Sequence, residues 1–365
     1  MSHKSDINVS CDILFSIFVR LPVKSLLRFR SISISWNDII LSREFKKAHI
    51  DQSKVLGRVS FLLQSCNNDE FKFINLKNNR VIAIEDSNFP LKRFEYCHVL
   101  CSHDGLVLLQ NVGVYKKFGL WNPSTRQCLK LASCPHMNIS TPRGNEMCYK
   151  PQGYGLCYDP TTNDCKVILI YKLFYLVYST RNFWTEKITL PQLSINSWSS
   201  YLYEGITVDG CVYWYKVADD YRNSTIIYFD MKSDELKELP TPNFIGDSSK
   251  KHLFRLTILK GHLSLYRLQK KNRLELNMWI MEDDGWKLVM KIPKVLPKFY
   301  KYTKILCCVE NDEIIFRGPT NFHISIYNPK QRKIVVKEFM FNSKDSYLYP
   351  YPTGLDTLYF PKIMH

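Results

Sequence analysis

FGLWNPSTRQCLKLA (Phe118–Ala132) reads as an apolar strand, a tight polar turn and a second strand, and the same pattern returns along the chain. It appears as FKFINLKNNRVIAIE from Phe71, YLVYSTRNFWTEKIT from Tyr175, TIIYFDMKSDELKEL from Thr225, LNMWIMEDDGWKLVM from Leu276 and ISIYNPKQRKIVVKE from Ile324. The position held by Trp121 corresponds to Phe73, Tyr178, Phe229, Trp279 and Tyr327, with successive spacings of 48, 57, 51, 50 and 48. Repeats near 50 residues built from four strands are the sequence signature of β-propeller blades.

The other two strands of each repeat lie upstream: HVLCSHDGLVLLQ, GYGLCYDPTTNDCKVILIY, GITVDGCVYWYK, FRLTILKGHLSLYR and ILCCVENDEIIFRG, each turning at Gly, Asp or Asn. In the first copy RVSFLLQ precedes FKFINL, and no strand precedes RVSFLLQ. The missing innermost strand is sought in SYLYPYPTGLDTL (Ser346–Leu358) near the C-terminus, which would close the ring and leave no exposed sheet edge. Residues 55–361 divided by six give about 51 each. The expectation is therefore a mainly β chain with a six-bladed propeller over 51–361. A β-sandwich is the alternative, but it gives no reason for near-equal periods.

Composition agrees. Of 365 residues, 45% are apolar, enough for a sizeable core, so disordered and fibrous classes drop out. There are 22 Tyr, 21 Phe and 7 Trp but only four Ala (48, 83, 132 and 218), which excludes a large helical bundle. MSHKSDINVS has no apolar run after a basic stretch, and the longest apolar segment, Val167–Tyr178, is broken by Lys172. No membrane association is expected, and the expected location is the cytoplasm, the nucleus or both. The 12 Cys are then read as reduced thiols, and the sequons at Asn8, Asn138 and Asn223 as unused.

The first fifty residues are helical in period. Ile13, Leu14, Ile17, Phe18 and Leu21 suit one apolar helix face behind a Ser10 cap. Pro22 ends that helix and opens a second, burying Val23, Leu26 and Leu27; a third follows Ser33 or Ser35 with Trp36, Ile39 and Ile40. A last turn opens at Ser42 and carries Phe45 and Ile50. Such a small unit usually needs a partner, unless it simply caps the main domain.

The stretch VSCDILFSIFVRLPVKSLLRFRSISISWNDIILSREFKKAHI (Val9–Ile50) resembles a plant F-box, above all in LPVKSLLRFR, Trp36 and the S-R-E-F-x-x-x-H-I ending. The motifs WNPSTRQCLKL, GYGLCYDPTTNDCKV, VYSTRNFW, GITVDGCVYWY and IIYFDMKSDELKELP look like the plant F-box-associated domain, which is distantly kelch-like. The resemblance implies a three-helix F-box over 1–50 that docks on the Skp-type adaptor of a cullin–RING ubiquitin ligase. Carried over by position, Leu14, Ile17, Pro22, Val23, Leu26 and Leu27 face that adaptor, and Trp36 stabilises the helical core. The chain departs from the family pattern at Val9-Ser10, where Leu-Pro is usual, and at Ile34, where Lys is usual.

Charge and loops point to where a second partner binds. Net charge is +16, and residues 250–304 alone hold fourteen Lys/Arg and four Asp/Glu. The connections between repeats are long and mutually unlike, the usual seat of specificity on a rigid scaffold. One of them, KIPKVLPKFYKYTK (Lys291–Lys304), interleaves Lys294, Lys298 and Lys301 with Phe299, Tyr300 and Tyr302. Its composition suits an acidic protein partner, although a plain solvated loop shares it. Nucleic acid is disfavoured, because no recognition module accompanies the charge.

No cofactor or metal is expected. Cys97, His98, Cys101 and His103 are dense, as are Cys128, Cys134 and His136, but there is no C-x-x-C pair. Strand alternation sends Cys97 and Cys101 to one sheet face and His98 to the other. G-x-S-x-G, phosphate-cradling Gly loops and H-E-x-x-H are absent, so a non-catalytic adaptor is expected over an enzyme. It would hold an unknown target protein for ubiquitin transfer; a propeller binding glycans or a small ligand is the rival.

Overall fold

The computed structural model describes residues 10–56, 59–65, 71–77, 80–87, 97–111, 117–132, 139–140, 146–147, 151–159, 162, 164–171, 174–188, 201–202, 205–217, 224–239, 242, 254–271, 273–295, 304–308, 312–317, 323–338 and 346–351. Helix α1 (Cys11–Phe18) starts where Ser10 Oγ accepts from the Asp12 backbone N–H at 3.3 Å. Pro22, in extended geometry, precedes α2 (Val23–Phe29), and Ser33 precedes α3 (Ile34–Leu41). Ser42 Oγ then accepts from the Phe45 N–H at 3.1 Å and opens α4 (Arg43–Val55). Three helices and a final turn were expected; the unit has four helices. Its last helix runs 13 residues and passes the expected boundary at residue 50. REFKKAHIDQSKV contains neither Gly nor Pro and is rich in good helix formers, so nothing stops it at Ile50.

Strands follow in hairpin order: β1 (Val59–Ser65), β2 (Phe71–Lys77) and β3 (Arg80–Ser87), then β4 (Cys97–His103), β5 (Leu106–Asn111), β6 (Phe118–Asn122) and β7 (Gln127–Lys130). The short pair β8 (Ile139–Ser140) and β9 (Glu146–Met147) stands apart from the main sheets. Next come β10 (Gly153–Asp159), β11 (Asp164–Ile170), β12 (Phe174–Ser179) and β13 (Phe183–Ile188). After them lie β14 (Tyr201–Leu202), β15 (Ile206–Val208), β16 (Cys211–Val217), β17 (Thr225–Asp230) and β18 (Glu235–Leu239). The chain continues through β19 (Phe254–Leu259), β20 (His262–Lys271), β21 (Arg273–Glu282) and β22 (Gly285–Val295). It finishes with β23 (Lys304–Cys308), β24 (Ile314–Arg317), β25 (His323–Asn328), β26 (Lys333–Glu338) and β27 (Ser346–Tyr351).

Among the described residues, five repeats form four-stranded antiparallel sheets, the blades of a β-propeller. The repeat from Tyr201 to Leu239 departs from the expectation of six alike blades. It is a five-stranded sheet in which β14 and β15 both pair with β16, end to end along one edge. The first sheet runs β27-β1-β2-β3, so its innermost strand comes from the far end of the chain, with Ser60 opposite Tyr351 and Ser65 opposite Ser346. Residues 352–358 of the expected closing segment lie outside the described residues. Innermost strands are neighbours all the way round: β27 beside β4, β4 beside β10, β10 beside β15 and β16, these beside β19, β19 beside β23, and β23 beside β27.

The core lies between blades. Trp121, Tyr178, Phe229, Trp279 and Tyr327, the repeating aromatics, each sit buried on the third strand of their own sheet. Each packs into an inter-blade cluster: Trp121 with Leu62 and Phe71, Tyr178 with Leu156 and Val167, Phe229 with Cys157 and Trp214. Close approach is needed at Gly155, where an added Cβ would come within 2.6 Å of Val212 and 2.7 Å of Trp214. Turn chemistry repeats as well. Asp104-Gly105, Asp209-Gly210 and Lys260-Gly261 carry two successive positive φ values, the conformation that twists tight hairpins correctly. Between third and fourth strands, Asn122 Oδ1 accepts from the Thr125 N–H at 3.1 Å and Asn328 Oδ1 from the Gln331 N–H at 3.0 Å.

A bulge corrects the reading of the cysteines. Register slips between Val99 and Cys101 of β4, which reverses the alternation. Cys97 therefore joins the cluster around Trp121, and Cys101 joins that around Leu106 and Leu108. The two thiols face opposite inter-blade cores instead of sharing one.

Candidate functional site

The helical unit packs around Phe18, Val23, Leu26, Ile40 and Phe45. Phe18 meets Trp36 edge-on at 5.2 Å between ring centres and stacks on Phe29 at 5.5 Å, while Phe15 meets Phe45 edge-on at 5.2 Å. Trp36 is thus packed against the core by two aromatic neighbours, Phe18 and Phe29. His49 lies buried on α4, its Nε2 2.8 Å from the Leu21 carbonyl oxygen, and ties the last helix to the corner before Pro22. Arg30 Nε donates to Asn37 Oδ1 at 3.0 Å and links α2 to α3.

Two of the six residues expected to face an adaptor do not reach the surface. Val23 and Leu26 are 0% exposed, enclosed by the unit's own helices. Leu14 and Leu27 are half-buried at the core margin, and Ile17 and Pro22 are exposed. The assumption of a single apolar face on α1 is corrected too. Leu14 and Phe18 point inward, whereas Ile13 (53% exposed) and Ile17 (49%) share the opposite side. Asp12 and Ser16 occupy the remaining arc, so the apolar surface of α1 is wider than the unit's own core covers. Ile32, Ile34 (83% exposed) and Leu41 extend the exposed apolar set. Sequence reasoning missed Ile13 because it lay in the same periodic run as the core residues, and Ile32 and Leu41 because periodicity does not report exposure. Ile34 was visible as a departure from the usual Lys.

In the ring, polar links between blades hold the scaffold. Lys166 Nζ reaches Asp234 Oδ1 at 2.6 Å and the Met231 carbonyl at 3.2 Å, and Tyr175 Oη donates to the Asp234 carbonyl at 3.2 Å. Trp214 Nε1 donates to the Tyr154 carbonyl at 3.0 Å, and Thr207 Oγ1 to that of Leu156 at 2.7 Å. Buried Asp164 accepts from Ser179 Oγ, the Thr180 N–H and Thr180 Oγ1 at 2.7, 2.9 and 2.7 Å. Asp230, held first by Lys237 Nζ at 2.7 Å and then by the Lys232 N–H and Ser233 Oγ, is pulled down to about 2. Burial pushes the thiols of Cys157, Cys165 and Cys307 up, which keeps them protonated and unreactive at neutral pH. Among the described residues, no group of three His, Cys, Asp or Glu is placed to hold a metal ion; Cys134 and His136 lie outside them. No helix among the described residues is long and apolar enough to cross a membrane.

On the loop side, Lys294 falls within β22, which runs to Val295, four residues past Lys291, where the connection was expected to begin. Lys298, Phe299, Tyr300, Lys301 and Tyr302 lie outside the described residues.

A small helical unit with apolar residues on two sides, followed by a closed ring of β blades, defines a two-part protein. The match to protein families agrees with this division. Residues 58–347 match the F-box associated beta propeller domain and residues 8–48 the F-box domain, and the chain belongs to this family of F-box proteins. It is similar to the F-box/kelch-repeat protein At3g23880 of Arabidopsis thaliana, 27% identical over 78% of this chain and 80% of that protein. The F-box protein At4g19940 of the same plant is 25% identical over 89% of this chain and 85% of its own length. An F-box domain implies binding to a Skp-type adaptor.

Proposed function

We propose that the chain is the substrate-recognition subunit of a Skp–cullin–F-box ubiquitin ligase. Its adaptor covers Ile13, Ile17 and Pro22, with Leu14 and Leu27 at the margin, and through the adaptor the chain reaches a cullin scaffold. The loop face of the ring holds the target protein, with Lys294, Lys298, Phe299, Tyr300, Lys301 and Tyr302 as candidate contacts. Neither part acts on the target chemically. Holding a target lysine beside a charged conjugating enzyme turns a bimolecular encounter into an effectively intramolecular step. The working location is the cytoplasm, the nucleus or both. The observation that carries this reading is the second apolar side of α1, where Ile13 and Ile17 stand half exposed in the chain alone.

The test is co-elution of the purified full chain with a purified Skp-type adaptor in gel filtration. Wild type should form a complex, and I13D/I17D should elute separately while keeping its circular dichroism spectrum. Co-elution of the variant as complete as that of wild type would overturn the assignment of the docking side.

A further inference from the structure

Resting on the reading that the loop face holds a target protein, we propose that the β19–β22 blade binds an acidic, extended segment of that target along its basic outer end. The blade is unlike the others. Its strands β20, β21 and β22 are 10, 10 and 11 residues long, whereas β5, β6 and β7 have 6, 5 and 4. The added length all lies at one end. Register places Lys270 opposite Leu274 and Lys271 opposite Arg273, then Leu274 opposite Val295 and Asn277 opposite Lys291. The end of β20, the start of β21 and the end of β22, which are separated in sequence, thus come to the same corner of the sheet.

The charge at that corner is one-sided. Residues 268–275 and 291–295 contain Lys270, Lys271, Arg273, Lys291 and Lys294 against Glu275 alone, five minus one or +4. These positions span five residue rows, about 16 Å of strand. The opposite end of the ring carries the turns with Asp104, Asp209 and Asp312, the last paired with Lys260 at 2.8 Å. A negatively charged segment is therefore drawn to the corner where positive charge is concentrated with one acid against it, whereas turns of the opposite face mix Asp104, Asp209 and Asp312 with Lys260, Lys232 and Lys330.

The backbone supplies the second half of the site. β22 is the outermost strand of its sheet, with β21 as its sheet partner among the described residues, so its outer edge offers ladder positions to an added strand. Halfway along, register slips between Met278 and Trp279, and Val289 is the extra residue on β22. That bulge leaves two adjacent apolar side chains, Leu288 and Val289, exposed on the edge. Toward the other end Lys287 pairs with Glu282 at 3.3 Å, whereas Lys291 is exposed. An extended segment laid on this edge meets an apolar step in its middle and positive charge at one end.

The probe is a fluorescein-labelled Glu/Ser repeat peptide of roughly twelve residues, long enough to span β22, titrated into the full chain by anisotropy. Saturable binding that weakens at raised salt is expected. K270E/K271E/R273E and, separately, K291E/K294E should each weaken it at least about tenfold. K232E/K330E/K333E, an equal charge change in and beside turns of the other face, should leave it within about twofold. Absence of binding by wild type, equal losses from both triple variants, or displacement of the peptide by a short single-stranded oligonucleotide at lower concentration would overturn the proposal. Adaptor co-elution is read on the same samples. Failure of wild type there strikes the ligase reading, whereas intact co-elution with no peptide binding strikes this inference alone.

Discussion

Phe18 in the helical unit and Trp121 in the ring are both buried, yet their surroundings differ in kind. Around Trp121 the core is shared with the neighbouring blade through Leu62 and Phe71, and the series of blades closes on itself through β27. Around Phe18 the four helices cover one side of α1 and leave Ile13 and Ile17 outside. A ring has no end at which burial stops, whereas four short helices have too little interior for all their apolar residues. Among the described residues the ring's exposed large apolar side chains, Phe183, Leu288, Val289 and Val335, all lie on outermost strands. The contrast is thus between a ring that exposes such side chains only on its outermost strands and a helical unit that leaves Ile13, Ile17, Ile32 and Ile34 uncovered beside its own core.

The largest expected effect attacks ring closure. Deleting residues 345–365 removes β27, bares the inner edge of β1 and uncovers one side of β4 and of β23. The product should be aggregated in gel filtration; a soluble monomer with an unchanged melting temperature would break the comparison. Next is Trp214→Ala, which empties the cluster shared with Phe229 and removes the hydrogen bond to Tyr154. It should cost about 3–5 kcal/mol in urea unfolding followed by strand signal. Gly155→Ala, pressing a methyl on Trp214 and Val212, should cost about 1–3 kcal/mol at the same interface.

Leu26→Ala moves the attack to the helices. A fully enclosed leucine there is worth about 2–5 kcal/mol, and the helical ellipticity should melt earlier while the strand transition stays. Leu27→Ala, at a half-buried site, should cost less. A pH experiment sharpens the ring side. Asp230 is held at about 2 against an ordinary 3.8, so its stabilising contribution is complete above 3.8 and is lost as pH falls toward 2. Asp230→Asn should flatten that part of the acid-unfolding curve. The smallest stability effect belongs to Ile13→Ser and Ile17→Ser, each within about 0.5 kcal/mol in the chain alone. Those same changes should weaken adaptor capture most.

Much of the ring was legible because its cause is periodic. Recurring aromatics on third strands and Asp-Gly or Asn-Pro turns are local devices, repeated wherever a blade needs them. The irregular features were not legible. The bulge at Leu100 that separates Cys97 from Cys101, and the split inner strand β14/β15, depend on pairing with residues far along the chain. In the helical unit, residue types and helix starts were readable from Ser10, Pro22 and Ser33. Which leucines face inward was not, because Leu26 and Leu27 stand side by side in one apolar run and only packing against the other helices encloses Val23 and Leu26 while leaving Leu27 at the margin. The corner of Lys270, Lys271, Arg273 and Lys291 was hidden for the same reason, since only strand register brings its two halves together.

The most direct test of the division between scaffold and docking unit is hydrogen–deuterium exchange on the full chain with and without a purified Skp-type adaptor. Added protection should fall on the peptides containing Ile13, Ile17, Pro22 and Ile34, and the strands from Val59 to Tyr351 should exchange as before. Protection on the strands, or none on α1, would contradict the account.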